Sequence, residues 1–350
     1  MSKAMSLDPG TMFFQSAEKK EDGSVSYKEI RNAFVELEVS EDTEQVLSQN
    51  DWQYVSDGKN YFIIGEDSMR VARMFPGKVE LRRPMQDGVL NKNEDKKMLV
   101  LAKMVESSIG KAPDKKSLVC TCVSSEPIDG SSDNTFHKAR LEGMIKRLGW
   151  NVKVIEEGHA VILSERPVLI EKDGTEVPYT GLGISFGAGR VNCVLAYRGL
   201  QVIGMSASRS GDFIDKKVFE QTDTPISQIT NIKETKLDFD NLDYDNDVIF
   251  ALDAYYDNML QYIFKNFSSK FLEVKSQFDA PIDIVVAGGT SMPKGFINKM
   301  KRVIESLDLP FEIKEIRRAK DPRNSVVSGC LVQAIISQKK LEKEDNIFDS

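Results

Sequence analysis

The chain has 350 residues, more than one hydrophobic core normally holds, so two domains or two lobes are expected. Hydrophobic residues make up 41% and charged residues 29%, an ordinary balance for a globular protein. The net charge of −7 excludes a broad nucleic-acid-binding face and leaves room only for a local basic patch. No apolar run approaches the roughly 20 residues that span a bilayer, and residues 1–6 lack an apolar signal core, so the expected location is cytoplasmic.

Residues 1–16 read as a short strand pair around a turn at Asp8-Pro9-Gly10-Thr11. Residues 17–60 are charged and lack clean periodicity; short strands are predicted at 33–39 and 61–65. A helix is predicted over 93–108, with Met98, Leu101, Met104 and Val105 among its apolar residues. A polar connector then leads to a strand at 118–123. Ser131, Ser132 and Asp133 offer N-caps for a helix carrying Leu141, Met144, Ile145 and Leu148 and ending at Gly149, before a strand at 152–155. Strand, helix, strand in that order predicts a mainly parallel sheet. The alternation returns with a helix at 252–267, a strand at 282–287, a helix at 292–307, a strand at 312–316 and a last helix at 326–338. Residues 339–350 are charged and read as a solvated or frayed tail.

Three glycine turns follow strand-like runs, near the start, the middle and the late part of the chain. They are Asp8–Thr11, then Gly187-Ala188-Gly189 in Gly183–Leu195, then Ala287-Gly288-Gly289-Thr290-Ser291-Met292-Pro293. Paired glycines let a backbone lie close against a flat partner, and a helix start beside them suits phosphate. In the last of these, Thr290 or Ser291 is expected to cap the following helix and Pro293 to open its first turn. One such turn is weak evidence; three in this order form a constellation. Cys120 and Cys122 share a face of a predicted strand, while Cys193 and Cys330 are isolated. With only His137 and His159 besides, the cysteines read as small buried hydrophobes rather than metal ligands.

These segments resemble the actin, sugar-kinase and heat-shock-chaperone superfamily, nearest the bacterial rod-shape actins of the MreB and ParM type. The resemblance covers most of residues 60–340. It rests on Asp8-x-Gly10-Thr11, Gly65-Glu66-Asp67, Arg83-Pro84-Met85-Gln86-Asp87-Gly88-Val89 and Ile155-Glu156-Glu157-Gly158-His159-Ala160. It rests also on Ser185–Asn192, Gly211-Asp212, Asn231-Ile232-Lys233-Glu234 and, most specifically, 287–293. The resemblance implies an α/β, two-lobed actin-like fold, ribonuclease-H-like and duplicated, with a nucleotide cleft between the lobes. Lobe I would take residues 1–180, with an insertion at about 17–80 and the C-terminal helix 326–342. Lobe II would take 181–325, with an insertion at about 212–277, and 343–350 would be a charged tail.

For the site, the resemblance implies ATP with Mg²⁺. The N–H groups of Gly10, Thr11, Gly187, Ala188 and Gly189 would meet the phosphates. Asp8 would hold magnesium-bound waters, and Ser185 occupies the position of the family's second metal-directed aspartate. Glu157 would orient the attacking water. Gly288, Gly289 and Thr290 would lie against adenine and ribose, and Lys233 and Glu234 would bond the ribose or base edge. The alternatives for these residues are a turn-fixing Asp8, a solvated Glu157 and a charged helix face at Lys233 and Glu234.

Ser185 carries no charge, so metal retention and hydrolysis are expected to weaken. Arg190 stands where the family has threonine and would either offer its guanidinium to phosphate or face solvent. Two functions follow from the resemblance: a filament-forming ATPase assembling from its own copies, or a non-polymerising scaffold that keeps ATP as a structural ligand. A chaperone would need a peptide-binding domain after the last helix, and no sugar-binding cluster supports a kinase. Membrane contact is expected only through a partner, because residues 1–7 are too short and polar for an anchoring helix.

Overall fold

The computed structural model describes residues 2–129, 134–165, 168–170, 174–278 and 281–348. It divides into two compact units. Unit 1 is Met1–Thr121, Asp133–Val154 and Gln333–Ser350, and unit 2 is Cys122–Ser132 and Ile155–Val332.

Unit 1 opens on the strands β1 (Ala4–Pro9), β2 (Phe13–Lys19) and β3 (Val25–Arg31), an antiparallel meander whose first connection is the Gly10 turn. A small subdomain follows, made of β4 (Phe34–Glu38), α1 (Glu41–Gln49), β5 (Tyr54–Ser56), β6 (Asn60–Ile64) and α2 (Glu66–Met74). Its sheet has the order β4-β6-β5, and Val35, Leu47, Ile63 and Val71 form its core. Ser40 caps α1 by accepting the Thr43 N–H at 3.1 Å. The hairpin of β7 (Met85–Gln86) and β8 (Val89–Leu90) turns through Asp87 and Gly88, both at positive φ, as a tight two-residue loop requires. Then come α3 (Lys97–Ile109), β9 (Leu118–Val123), α4 (Asn134–Arg147) and β10 (Asn151–Glu156). The main sheet has the order β10-β9-β1-β2-β3, with β9 parallel to β1.

Unit 2 repeats that plan. After α5 (Glu157–Glu165), β11 (Val168–Ile170) and β12 (Glu176–Pro178) comes a second antiparallel meander: β13 (Gly181–Phe186), β14 (Val191–Tyr197) and β15 (Leu200–Ala207). Next are α6 (Gly211–Thr222), α7 (Ile226–Thr235) and α8 (Asp247–Leu272), then β16 (Ile282–Ala287), α9 (Phe296–Glu305), β17 (Ile313–Arg318) and α10 (Ser325–Phe348). The sheet order is β15-β14-β13-β16-β17, with β16 parallel to β13 and β17 parallel to β16. In both units a three-strand meander gains two further strands on the side of its first strand. In both, the first hairpin carries a glycine turn. This repeat agrees with the duplicated fold that the resemblance implied.

The predicted strands at 118–123 and 282–287 stand as read, and those at 33–39 and 61–65 are β4 and β6 within a residue or two. The strands at 118–123 and 282–287 are mostly apolar and mostly buried, while β4 alternates apolar residues with Glu36 and Glu38. The cysteines are all free and buried. Three expectations fail. The sheets are mixed rather than mainly parallel, because each contains an antiparallel three-strand meander. The helix predicted over 292–307 starts only at Phe296, because Gly295 sits at φ +74 against Asp240 and breaks the run. The last helix does not stop at Gln338 but continues to Phe348, because Lys339–Glu344 is rich in good helix formers. The expected caps Ser131, Ser132 and Asp133 lie outside the described residues.

His137 of α4 is buried, and desolvation pulls its pKa from 6.5 down to about 4. Its Nδ1 has no partner among the described residues. The folded state therefore resists protonation that the unfolded state accepts. Stability is full above the unfolded value and falls as pH drops from about 6.5 towards about 4. Thermal melts across this window should show a loss of at most about 3 kcal/mol attributable to this group. A His137→Leu variant should lose less than the wild type; parallel pH slopes would contradict the assignment.

Candidate functional site

The β13–β14 hairpin presents the second glycine turn. Gly187 N–H donates to Arg190 O at 3.0 Å and closes it. Its carbonyls face inward. Gly187 O accepts the Thr290 hydroxyl at 2.9 Å and the Gly211 N–H at 3.2 Å. Ala188 O accepts the Asp212 N–H at 2.8 Å and the Ser210 hydroxyl at 2.5 Å. The first turn of α6 thus spends its own free N–H groups on the hairpin. Among the described residues, Ala188 and Gly189 donate no main-chain hydrogen bond. Gly10 and Thr11 of unit 1 likewise donate none. Unpaired N–H groups at buried positions such as Gly189 and Thr11 are rare without a ligand.

The third glycine turn is a single 3₁₀ turn, Gly289–Ser291, between β16 and α9. Gly288 takes φ +92, and a Cβ there would meet the Phe186 carbonyl oxygen at 2.3 Å. Only glycine allows that approach. Gly289 differs: a Cβ would meet nothing within 4 Å. The expected caps behave otherwise than predicted. Thr290 and Ser291 give their hydroxyls to Gly187 O and Gly288 O, at 2.9 and 2.7 Å, so neither caps α9. Below the turn, buried Tyr256 of α8 donates its hydroxyl to Thr290 O at 3.1 Å, and its ring meets Phe239 and Phe296 edge-on.

Glu157, the first residue of α5, accepts the Ser185 hydroxyl on Oε2 at 3.1 Å and the Ser124 hydroxyl on Oε1 at 3.4 Å. The expected water-orienting carboxylate and the replaced aspartate position are therefore direct neighbours. Ser185 and Asn192 are cross-strand partners, and so are Asn192 and Ser206. Side chains opposite each other share a face, so a polar row crosses the sheet. Asn192 Oδ1 accepts the Ser125 N–H at 3.0 Å, and Ser206 Oγ donates to Ser125 O at 2.8 Å. Arg190 does not face solvent as one expectation had it: it is buried and donates to Ser206 Oγ at 3.0 Å.

Lys233 is buried. Its ammonium pairs with Asp215 at 2.6 Å and donates to Gly211 O at 3.0 Å, supporting the first turn of α6. Burial pushes the Asp215 carboxyl up, against the pull of Lys233. Glu234 is exposed. In unit 1, Thr11 is buried. Its hydroxyl accepts the Gly88 N–H at 2.9 Å, and its carbonyl accepts from Asn32 Nδ2 at 2.7 Å. The Asp87–Gly88 hairpin thus braces the first glycine turn. Asp8 is half-buried at the end of β1, opposite Gln15. Sequence reading missed Tyr256, Ser210, Ser124 and Asn192. A serine pair directly after a strand was the available signal for Ser124; nothing in the local pattern marks Tyr256. Among the described residues no cluster of metal-binding side chains is present.

The sequence model of the family described as Volactin matches residues 3–334. A MamK double helical filament is structurally similar at a TM-score of 0.67 with 17% identity, covering 95% of this chain and 98% of that one. MreB 5 of Spiroplasma citri bound to AMPPNP is similar at 0.63 with 15% identity, covering 98% and 99%. Its ADP-bound form is similar at 0.63 with 14% identity, with the same coverage. The likeness carries the actin-like fold over nearly the whole chain, including residues 17–60, where no sequence match could be read. No curated protein sequence matches the chain.

The two glycines should separate cleanly. Gly288→Ala combines a disfavoured φ with a backbone clash and should cost at least about 2 kcal/mol in chemical denaturation. Gly289→Ala should stay within about 0.5 kcal/mol of the wild type. Equal losses would show that the turn is differently built.

Proposed function

The chain belongs to the Volactin family, and from that premise we propose that it is an actin-like cytoskeletal protein that binds ATP and assembles into filaments of its own copies. The observation that carries the nucleotide is the set of unspent N–H groups at Ala188 and Gly189 beside the open face of Gly289. Donors of that kind meet phosphate oxygens, and a flat unobstructed glycine meets a base. Gly10 and Thr11 of unit 1 keep the phosphate role that the resemblance gave them, and Asp8 the metal-bound waters.

MreB 5 was captured with AMPPNP and with ADP, and MamK as a double helical filament; both favour this reading. When bound, Mg²⁺ would screen the phosphate charge. Glu157 would orient a water by accepting a hydrogen bond from it, and Thr290 would keep the glycine turn in register. Lys233 acts from behind, through Gly211, and Glu234 is left as the exposed group for the ribose edge.

The second reading, ATP as a structural ligand without turnover, is favoured by Ser185. A neutral hydroxyl that donates to Glu157 brings no negative charge to a metal shell. Hydrolysis should therefore be slow, and Ser185→Asp should raise phosphate release at least about fivefold. The same change sets two carboxylates at hydrogen-bond distance, so without Mg²⁺ it should lower stability by about 1–3 kcal/mol.

Light scattering and pelleting with and without ATP and Mg²⁺ test the function. The wild type should assemble only with nucleotide. Gly289→Arg should fold normally, lose ATP binding at least about tenfold in calorimetry and stop assembling. Assembly that ignores nucleotide, or an unaffected Gly289→Arg, would refute the proposal.

A further inference from the structure

The small subdomain of unit 1 ends in an exposed basic, apolar tip. Helix α2 stops on Met74 and Phe75, which are 58% and 36% exposed. A turn through Pro76 and Gly77 follows, with Gly77 at φ +73, and then exposed Lys78. Among the described residues neither Arg73 nor Lys78 forms an ion pair, while Arg70 one turn back pairs with Asp67 at 3.2 Å. Two adjacent large apolar side chains between two unspent cations are not what a solvated helix end requires.

Unit 2 carries the complement. A hollow of about 550 Å³ opens where α8 ends and where β16 and β17 begin. The glycine turn follows the other end of β16, roughly 20 Å away along the strand, so this hollow is not the nucleotide site. Its floor is aromatic. Phe271 packs on Phe311 and Phe278 at centroid distances of 4.8 and 5.4 Å, and Leu309 completes it. Asp308 and Glu312 stand on its rim with one lysine, Lys275. Among the described residues neither acid forms an ion pair. The hollow therefore offers the half-buried Phe278, Leu309 and Phe311, backed by buried Phe271, in an otherwise polar lining with a net negative rim, and the tip offers apolar side chains flanked by positive charge.

We propose that the 73–78 tip of one copy seats in the Phe271–Phe311 hollow of the next. Met74 and Phe75 enter the aromatic floor, and Arg73 and Lys78 meet Asp308 and Glu312. The inference rests on the filament reading and names the surfaces that would carry it. Tip and hollow are different surfaces of one chain, so the contact is heterologous. Each added copy leaves one tip and one hollow free, which builds an open chain. Opposite charges on the two rims fix register and disfavour tip-to-tip encounters. An anionic lipid surface would also attract the tip, but it would leave the acid-rimmed hollow without a role.

The test uses the full chain in the nucleotide state in which the wild type pellets. Met74→Glu with Phe75→Glu changes only exposed side chains and should raise the critical concentration at least tenfold. Arg73→Glu with Lys78→Glu, and separately Asp308→Lys with Glu312→Lys, should each do the same. All four charge changes in one chain should return it to within threefold of the wild type. Circular dichroism melts of every variant check that folding is kept. If the tip variants assemble like the wild type, or if the fourfold exchange recovers nothing, the interface is overturned. It is overturned too if the tip variants keep polymerising but lose co-sedimentation with phosphatidylglycerol vesicles, which would make lipid the occupant. A wild type that stays monomeric in every nucleotide state would instead bring down the filament reading itself, and this interface with it.

Discussion

One carbonyl group organises the unit 2 site. Gly187 O accepts from Thr290 and from Gly211, and so ties together three segments that lie far apart in the chain. The knot forces each neighbour into place. Gly288 must lie on Phe186 for Thr290 to reach Gly187. Gly211 must lack a Cβ, which would stand 2.5 Å from the Thr290 hydroxyl oxygen. Lys233 and Tyr256 hold the two incoming segments from behind, by Gly211 O and Thr290 O. Because the carbonyls of the hairpin tip are consumed in this way, the N–H groups of Ala188 and Gly189 are what remain. The phosphate role proposed for them would thus follow from how the turn is anchored.

The same region carries a serine, Ser185, where the resemblance expects an aspartate, and the surrounding hydrogen bonds accommodate it. A carboxylate at residue 185 would face Glu157 across a hydrogen-bond distance, and two like charges so close need a cation between them. Serine removes that need and instead donates to Glu157. Arg190 adds a cation to the hairpin, but its guanidinium lies along the sheet at Ser206, where it struts the hairpin against the 124–127 segment. Asn192 completes the polar row with its Oδ1 bonded to Ser125 N and a buried Nδ2 without a partner. An unmade bond of that kind costs about 1–3 kcal/mol.

How far the sequence could be read follows from the same physics. The strands at 118–123 and 282–287 were legible because they are largely buried on both faces and read as mostly apolar runs, interrupted only by Thr121 and Asp283. The glycine turns were legible because close backbone approach admits only glycine. Of the small subdomain only β4 and β6 were legible; α1, β5 and α2 were not, because its core rests on few residues and these elements are too short to impose a period. Local contacts at the site were harder to read. Thr290 was expected as a helix cap and is a cross-link, and Lys233 is a buried support of the α6 start that no motif announced. Both share a cause: the partner carbonyls, at Gly187 and Gly211, lie 103 and 22 residues away, beyond the reach of local pattern. The small subdomain, the least legible part, is also the part that carries the apolar tip.

The central claim is that an adenine nucleotide rests on the Gly288–Thr290 turn beneath the Gly187–Gly189 hairpin. Photolabelling with 8-azido-ATP, followed by peptide mapping, tests it most directly. The account predicts one major label, suppressed by excess ATP, on a peptide covering 287–296 or 231–235. Label that ATP does not suppress, or a protected label confined to peptides outside these two stretches, would contradict it.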